Sequence, residues 1–167
     1  MQEKQLFCFG HGYTCDYLGH ALAEEGGWTV SGTTRDPDKR TALQARDIKT
    51  YLFDFDTPLP DPIYMLRNVT HIVISTPPTD NGDPTFIAHA HDIVGLPNLE
   101  WIGYLSTTGS YGDRDGGWVD EGSYPRPSTK RGSRRLKAEE QWMSLFYSHN
   151  VPVHIFRLAG ISGPGRS

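Results

Sequence analysis

Two glycines flanking a single residue, Gly10-His11-Gly12, follow the strand-forming run Gln5-Leu6-Phe7-Cys8-Phe9. A helical pattern marked by Leu18, Ala21 and Leu22 comes next. In that setting Gly10 makes a tight turn, and Gly12 presents no side chain to block a pyrophosphate seated on the free N–H groups of the helix N-terminus. Cys15 takes the place of the usual third glycine and is small enough for close helix–strand packing. A second cluster, Thr33-Thr34-Arg35, falls ~20 residues further on, where this kind of site meets the adenosine ribose. An acid there binds a 2′-hydroxyl, whereas an arginine fork matches a 2′-phosphate, with the two threonine hydroxyls adding hydrogen bonds. The first carboxylate is Asp36, so NADP is preferred over NAD. The alternative makes Arg35 a solvated loop residue. Arg131 and Arg135, at i and i+4, share one face of a predicted helix and suit a clamp on a phosphate or carboxylate. The competing reading of the basic run 130–137 is a solvated helix face on which Arg135 pairs with Glu139.

Other chemistries find little support. His89 and His91 lie two apart on a predicted helix and point in different directions. With no His-Glu-x-x-His and no paired Cys-x-x-Cys, metal binding is not expected. The absence of a Gly-x-Ser-x-Gly elbow disfavours a hydrolase. A net charge of −4 gives no general attraction to nucleic acid or anionic membranes. No apolar run approaches the ~20 residues of a membrane span. The N-terminus leads straight into a strand, leaving no room for a signal peptide. Cys8 and Cys15, on the first strand and first helical turn, read as packing residues poorly placed to bridge, in a reducing cytoplasm.

The elements that must position these residues follow in order. Strands are predicted over 5–9, 28–33, 48–53, 71–75, 101–106 and 153–156. Helices begin at Asp36-Pro37 and Asp83-Pro84, where an acidic cap precedes a proline. Only a short helix fits between Pro58 and Asn68, a glycine-rich polar segment covers 107–130, and a charged helix spans 131–148. Apolar strands alternating with helices call for a single domain, 1–167. Its fold class is α/β: a Rossmann-type, doubly wound, mostly parallel sheet with helices on both faces.

Beyond these patterns, the segment from Leu105 to Asp113, LSTTGSYGD, resembles the "LSSTGVYG" of extended and atypical short-chain dehydrogenase/reductases. The closing RLAGISGPGR, from Arg157 to Arg166, is similar to that group's "RLAGIYGPGR", with Ser162 in place of the tyrosine. The glycine turn, Gly32 to Arg35, Asp54, Thr76-Pro77-Pro78 and Val119-Asp120-Glu121 also fall where the NAD-dependent epimerase/dehydratase branch has its motifs. The resemblance implies Gly10, Gly12 and Tyr13 under the pyrophosphate and Arg35 at the adenosine phosphate. It implies Asp54 and Phe55 near the adenine, and Thr76 with Pro77 beside the nicotinamide ribose. Thr107 matches the family's catalytic Ser/Thr, but Arg131 and Arg135 occupy the places of its Tyr-x-x-x-Lys pair. Arginine stays protonated, a poor general acid or base, so Tyr111 is either a substitute proton donor or a tyrosine packed beneath the glycine turn. The family's substrate-binding part follows the "GPGR" segment, and the sequence stops one residue beyond Arg166. Two functions follow: an NADP-dependent oxidoreductase or epimerase/dehydratase acting on a sugar-like or other small hydroxylated substrate, or a non-catalytic NADP(H)-binding module. The resemblance also implies a homodimer as the assembly.

Overall fold

The structure, a computed structural model, describes residues 3–166. Six strands, β1 (Lys4–Phe9), β2 (Trp28–Thr34), β3 (Lys49–Leu52), β4 (His71–Ile74), β5 (Trp101–Thr107) and β6 (Val153–Leu158), form one sheet in the order β3-β2-β1-β4-β5-β6. Every pairing is parallel. The connections carry α1 (Tyr13–Glu25), α2 (Pro37–Gln44), α3 (Pro62–Leu66), α4 (Pro84–Val94) and α5 (Lys130–His149). This is the doubly wound Rossmann order. Strand succession reverses between β1 and β4, which opens a crevice at their carboxyl ends, and ligands of such sheets bind there.

Local chemistry sets the boundaries. Three helices start at an Asp-Pro pair whose aspartate caps the first turn. Asp36 accepts from the Asp38 and Lys39 N–H groups at 2.9 and 3.2 Å, Asp61 from Tyr64 at 3.1 Å, and Asp83 from Phe86 at 3.0 Å. Each proline then occupies a position whose N–H has no helical partner anyway. The long helix α5 is capped by Thr129, whose hydroxyl accepts the Gly132 N–H at 3.0 Å, and it ends on left-handed Asn150.

Alternation along β1 divides the core. Leu6 and Cys8 point towards α1 and pack with Cys15, Leu18 and Leu22. Phe7 and Phe9 point the other way, into the larger cluster with Ile72, Ile74, Ile102 and Tyr104 beneath Ile93, Trp142 and Leu145 of α4 and α5. A fully buried aromatic of this kind contributes roughly 1.5–3 kcal/mol. The two thiols, read as packing residues poorly placed to bridge, both remain free within one apolar cluster, where Cys8 donates to Cys15, which raises Cys8 and lowers Cys15 from the usual thiol range.

The segment 107–130 is more ordered than its composition suggests. It opens with a 3-10 turn at Thr108–Ser110. Gly112, at φ +75°, passes so close to the Arg126 carbonyl that any Cβ there would collide with it. Arg114 ties the loop together by donating to the carbonyls of Tyr111 and Tyr124. Among the described residues no helix is long and apolar enough to cross a membrane.

Candidate functional site

The two glycines of the opening turn do different work. Gly10 sits at φ +82°, and a Cβ on it would press to 3.1 Å on the Thr76 nitrogen, so the fold itself requires glycine. Gly12 lies at φ −98°, an ordinary conformation, and its Cβ would meet only the Gly10 carbonyl, at 3.8 Å. It is also the N-cap of α1, with no side-chain cap. The first-turn N–H groups of α1 therefore receive no side-chain cap, the arrangement that can seat an anion. Thr33 braces the turn from β2: its hydroxyl accepts the Gly10 N–H at 2.9 Å, and its carbonyl accepts the His11 N–H at 2.7 Å.

A groove of about 610 Å³ runs along the carboxyl ends of the strands, over the β1/β4 switch point. Gly10, Gly12, Thr33, Thr34, Arg35, Asp54, Phe55, Thr76 and Pro77 all line it, as the sequence expectation grouped them; Tyr13 does not. At its β2 end Arg35 is joined by Lys39, from the first turn of α2. The Asp36 carboxylate, which would repel a phosphate, is turned away as the α2 cap. The Thr33 hydroxyl accepts from Gly10 and the Thr34 hydroxyl from the Asp36 N–H at 3.2 Å, each keeping its proton, while Arg35 and Lys39 supply the charge at this end. Asp54 folds back to accept the Phe55 N–H at 2.8 Å, and the Phe55 ring is 45% exposed at the groove rim.

The far wall is the β4–α4 connection. Thr76 is buried, with its hydroxyl 3.0 Å from that of Thr85 and 3.4 Å from the Asp83 carboxylate. Burial pushes Asp83 up to about 6, against the pull of the Phe86 and Thr85 N–H groups. At the tip of the connection Asp80 binds Arg134 at 2.7 Å and Lys130 at 3.1 Å, which together hold its carboxyl far below the usual range. Lys137 adds a bond to the Asp80 carbonyl at 2.9 Å. The basic run of α5 is thus a strap across the groove wall rather than a merely solvated face.

A smaller cavity of about 240 Å³ shares Gly12 and Ser75 with the groove and continues towards β6. Thr107, Arg131 and Arg135 all line it, and so does Tyr13. Thr107 uses its oxygen to cap the 3-10 turn, accepting the Gly109 N–H at 3.1 Å. Arg135 points into the sheet: one nitrogen, Nη1, donates to the Leu105 carbonyl at 2.9 Å and to the Tyr104 hydroxyl at 3.1 Å. Tyr104 itself is buried, which pushes its hydroxyl far above the usual range.

The pairing of Arg135 with Glu139 is not what forms. Glu139, 3% exposed, instead accepts from Arg157 of β6 through both carboxylate oxygens, Oε2 from Nη2 at 2.7 Å and Oε1 from Nε at 3.2 Å. It also accepts from Ser106 and, at 2.9 Å, from Ser110. Arg157 in turn stacks 4.7 Å from the Tyr111 ring. Tyr111 is buried in that stack and lines a separate cavity at the β6 edge, apart from Thr107, Arg131 and Arg135.

These features can be set beside known proteins. No family model matches the chain. It is 31% identical over 174 residues to protein YeeZ of Escherichia coli K12, covering 98% of this chain and 61% of YeeZ. It superposes with a TM-score of 0.85, at 44% identity, on a functionally unknown conserved protein from Silicibacter pomeroyi DSS, covering 98% of this chain and 55% of that one. The UDP-glucuronic acid 4-epimerase of Bacillus cereus, solved with UDP-glucuronic acid and NAD, gives 0.75 at 18% identity over 92% of this chain and 55% of the epimerase. The fold is that of NAD-dependent epimerase and dehydratase structures. The chain spans less than two thirds of the length of each of these proteins.

Several residues of the site were not singled out from the sequence. Lys39 carried a weak signal, since it falls one turn past Arg35 at a helix start. Asp83 was visible only as a cap, and nothing local foretold that its carboxyl is buried. His11, 2% exposed with both ring nitrogens unbonded, lies within 3.5 Å of Asp16, and burial lowers its pKa. Among the described residues no cluster of three or more His, Cys, Asp or Glu is placed to hold a metal ion.

Proposed function

We propose that this chain is the nucleotide-binding part of an NAD(P)-dependent oxidoreductase or epimerase/dehydratase-like protein of the short-chain dehydrogenase/reductase kind. It acts on a sugar-like or other small hydroxylated substrate in the cytoplasm, with NADP preferred over NAD. The observation that carries this reading is Gly12. Neither its backbone conformation nor its neighbours demand glycine, yet it opens the α1 N-terminus at the switch point, where a side chain would fill the seat of a pyrophosphate. From there the groove extends to Arg35 and Lys39 for the adenosine phosphate, to Asp54 and Phe55 for the adenine, and to Thr76 and Pro77 for the nicotinamide ribose. The bound dinucleotide supplies hydride transfer; the chain's own residues bind and orient it.

Gly12→Ala tests the assignment. An alanine N-cap in place of glycine costs about 0.5–1 kcal/mol, so the protein stays folded with Tm lower by no more than about 4 °C, while calorimetric affinity for NADP falls more than about tenfold. Unchanged NADP affinity in a folded Gly12→Ala protein refutes the reading.

A second reading has its own observation. Arg131 and Arg135 stand where a proton-exchanging Tyr and Lys are expected, and Tyr111 is turned away from them. A non-catalytic NADP(H)-binding module accounts for that arrangement. Turnover of NADPH against a panel of carbonyl compounds decides between the two.

A further inference from the structure

The smaller cavity beside the groove carries an unusual charge balance. The protein as a whole is acidic, at −4, yet three arginines, Arg131, Arg135 and Arg166, line this cavity and no aspartate or glutamate does. Three arginines elsewhere are neutralised: Arg46 by Asp16 at 2.9 Å, Arg134 by Asp80 and Arg157 by Glu139, both at 2.7 Å. The three arginines of the cavity form no ion pair among the described residues.

Arg135 and Arg166 are held in position by neutral groups. Arg135 is fixed through Nη1 on the Leu105 carbonyl and Tyr104 hydroxyl, and its remaining nitrogens carry no hydrogen bond among the described residues. Arg131 lies one helical turn earlier on the same face of α5. Arg166 arrives from the other side, on the closing turn in which Gly163 and Arg166 exchange backbone hydrogen bonds at 2.9 Å. That turn is fastened to α1 by the Tyr13 and Tyr17 hydroxyls, both donating to the Pro164 carbonyl at 3.2 Å, and the Arg166 guanidinium lies over the Tyr13 ring at 5.4 Å. The Thr107 hydroxyl faces the same space with its proton free to donate, because its oxygen serves as the cap acceptor.

We infer that Arg131, Arg135 and Arg166, with the Thr107 hydroxyl, form a subsite for an oxyanion group, carboxylate or phosphate, carried by the substrate. Unpaired guanidinium forks converging on one small cavity are the arrangement that recognises such groups bidentately. The substrate role rests on the cofactor assignment above; the anion site itself does not. In this reading the arginines that displace the Tyr and Lys positions trade proton exchange for substrate charge, and the substrate is an acidic or phosphorylated hydroxy compound.

The test titrates inorganic phosphate and acetate, separately, into NADP-loaded protein, followed by nuclear magnetic resonance. Arg131→Ala and Arg166→Ala are the variants, since both side chains are exposed and neither supports the core. The expected result is anion affinity about tenfold or more weaker in each variant, NADP affinity within about twofold of the parent, and partial rescue in Arg131→Lys. Preference for phosphate or for acetate then assigns the group. Anion binding that is unaltered by both substitutions overturns the proposal. So does a parallel loss of NADP affinity, which would make the arginines part of the cofactor's own pyrophosphate seat. If the parent protein binds no NADP, the cofactor assignment fails alone, and the same titration on the unloaded protein still decides the anion site.

Discussion

Replacing Asp83 by Asn should make the protein less sensitive to pH and more stable at neutrality. The carboxyl is fully buried at the start of α4, beside the groove wall formed by Thr76. Desolvation raises its pKa from 3.8 to about 6, even though two backbone N–H groups and Arg135 favour the charge. A folded-state value above the unfolded one means that the unfolded chain ionises first as pH rises. The native state is therefore favoured below pH 3.8 and loses stability as pH climbs through about 6. The difference of about 2 units, at ~1.4 kcal/mol per unit, amounts to about 3 kcal/mol lost between pH 4 and pH 7. Asparagine keeps an acceptor for the Phe86 N–H and is as good an N-cap as aspartate, but never ionises. Urea unfolding of both proteins at pH 4 and pH 7 isolates this group, because every other titration is common to the pair. The variant should gain about 1–3 kcal/mol on its parent on going from the lower to the higher pH. An identical pH dependence in the two proteins, or a variant that loses ground at pH 7, refutes the burial argument, since it would mean that the ionised carboxylate is well solvated or paired.

Two further outcomes follow from the same geometry. Arg35→Ala should weaken NADP binding by roughly 10- to 100-fold, the worth of a charge-assisted hydrogen-bonded contact, while calorimetry shows NAD affected by less than about threefold; equal losses for both cofactors would remove Arg35 from the phosphate. Glu139→Ala strips the partner from Arg157, whose side chain is only 19% exposed, and should cost about 3 kcal/mol, or roughly 6–12 °C in Tm by calorimetric scan; a change of under about 2 °C would show that the pair contributes no net stability.

The fold was legible in the sequence because its signals are local. Each Asp-Pro helix start is settled within four residues, and each strand announces itself as a short apolar run between polar punctuation. Among the groove residues, Gly10, Gly12 and Arg35 were legible because in a doubly wound sheet they sit at strand ends, while Asp54 and Thr76 were implied by the family resemblance. What escaped was the partner choice of side chains that meet only after the crossovers close. Glu139 has Arg135 one turn before it, and spacing alone favours that pair. Parallel registration of β5 with β6 sets Ser106 opposite Arg157, and it is this register that gives Glu139 its true partner while Arg135 is drawn to the Leu105 carbonyl. Cys8 and Cys15 illustrate the same limit, since the angle at which α1 leaves the turn brings the thiols together.

The glycine turn shows where sequence and structure supply different halves of one inference. A motif treats Gly10 and Gly12 alike, as positions where glycine is wanted. The structure separates them by cause. At Gly10 a positive φ and the Thr76 backbone exclude any side chain, so that glycine would be required in an empty fold. At Gly12 there is room and ordinary geometry, so the fold leaves space for a side chain, and Ser, Asp or Asn would cap the helix at least as well. A glycine with room for a side chain, at a helix N-terminus without a side-chain cap, leaves that space open to what approaches it from outside. The same reasoning applies to the arginines of the neighbouring cavity. Arg157 belongs to the fold, because Glu139 and Tyr111 account for its charge and its ring contact. Arg131 and Arg166 have no carboxylate partner among the described residues, Arg166 having only its contact with the Tyr13 ring, and their convergence with Arg135 on one cavity directs the search for substrate towards molecules that carry the missing negative charge.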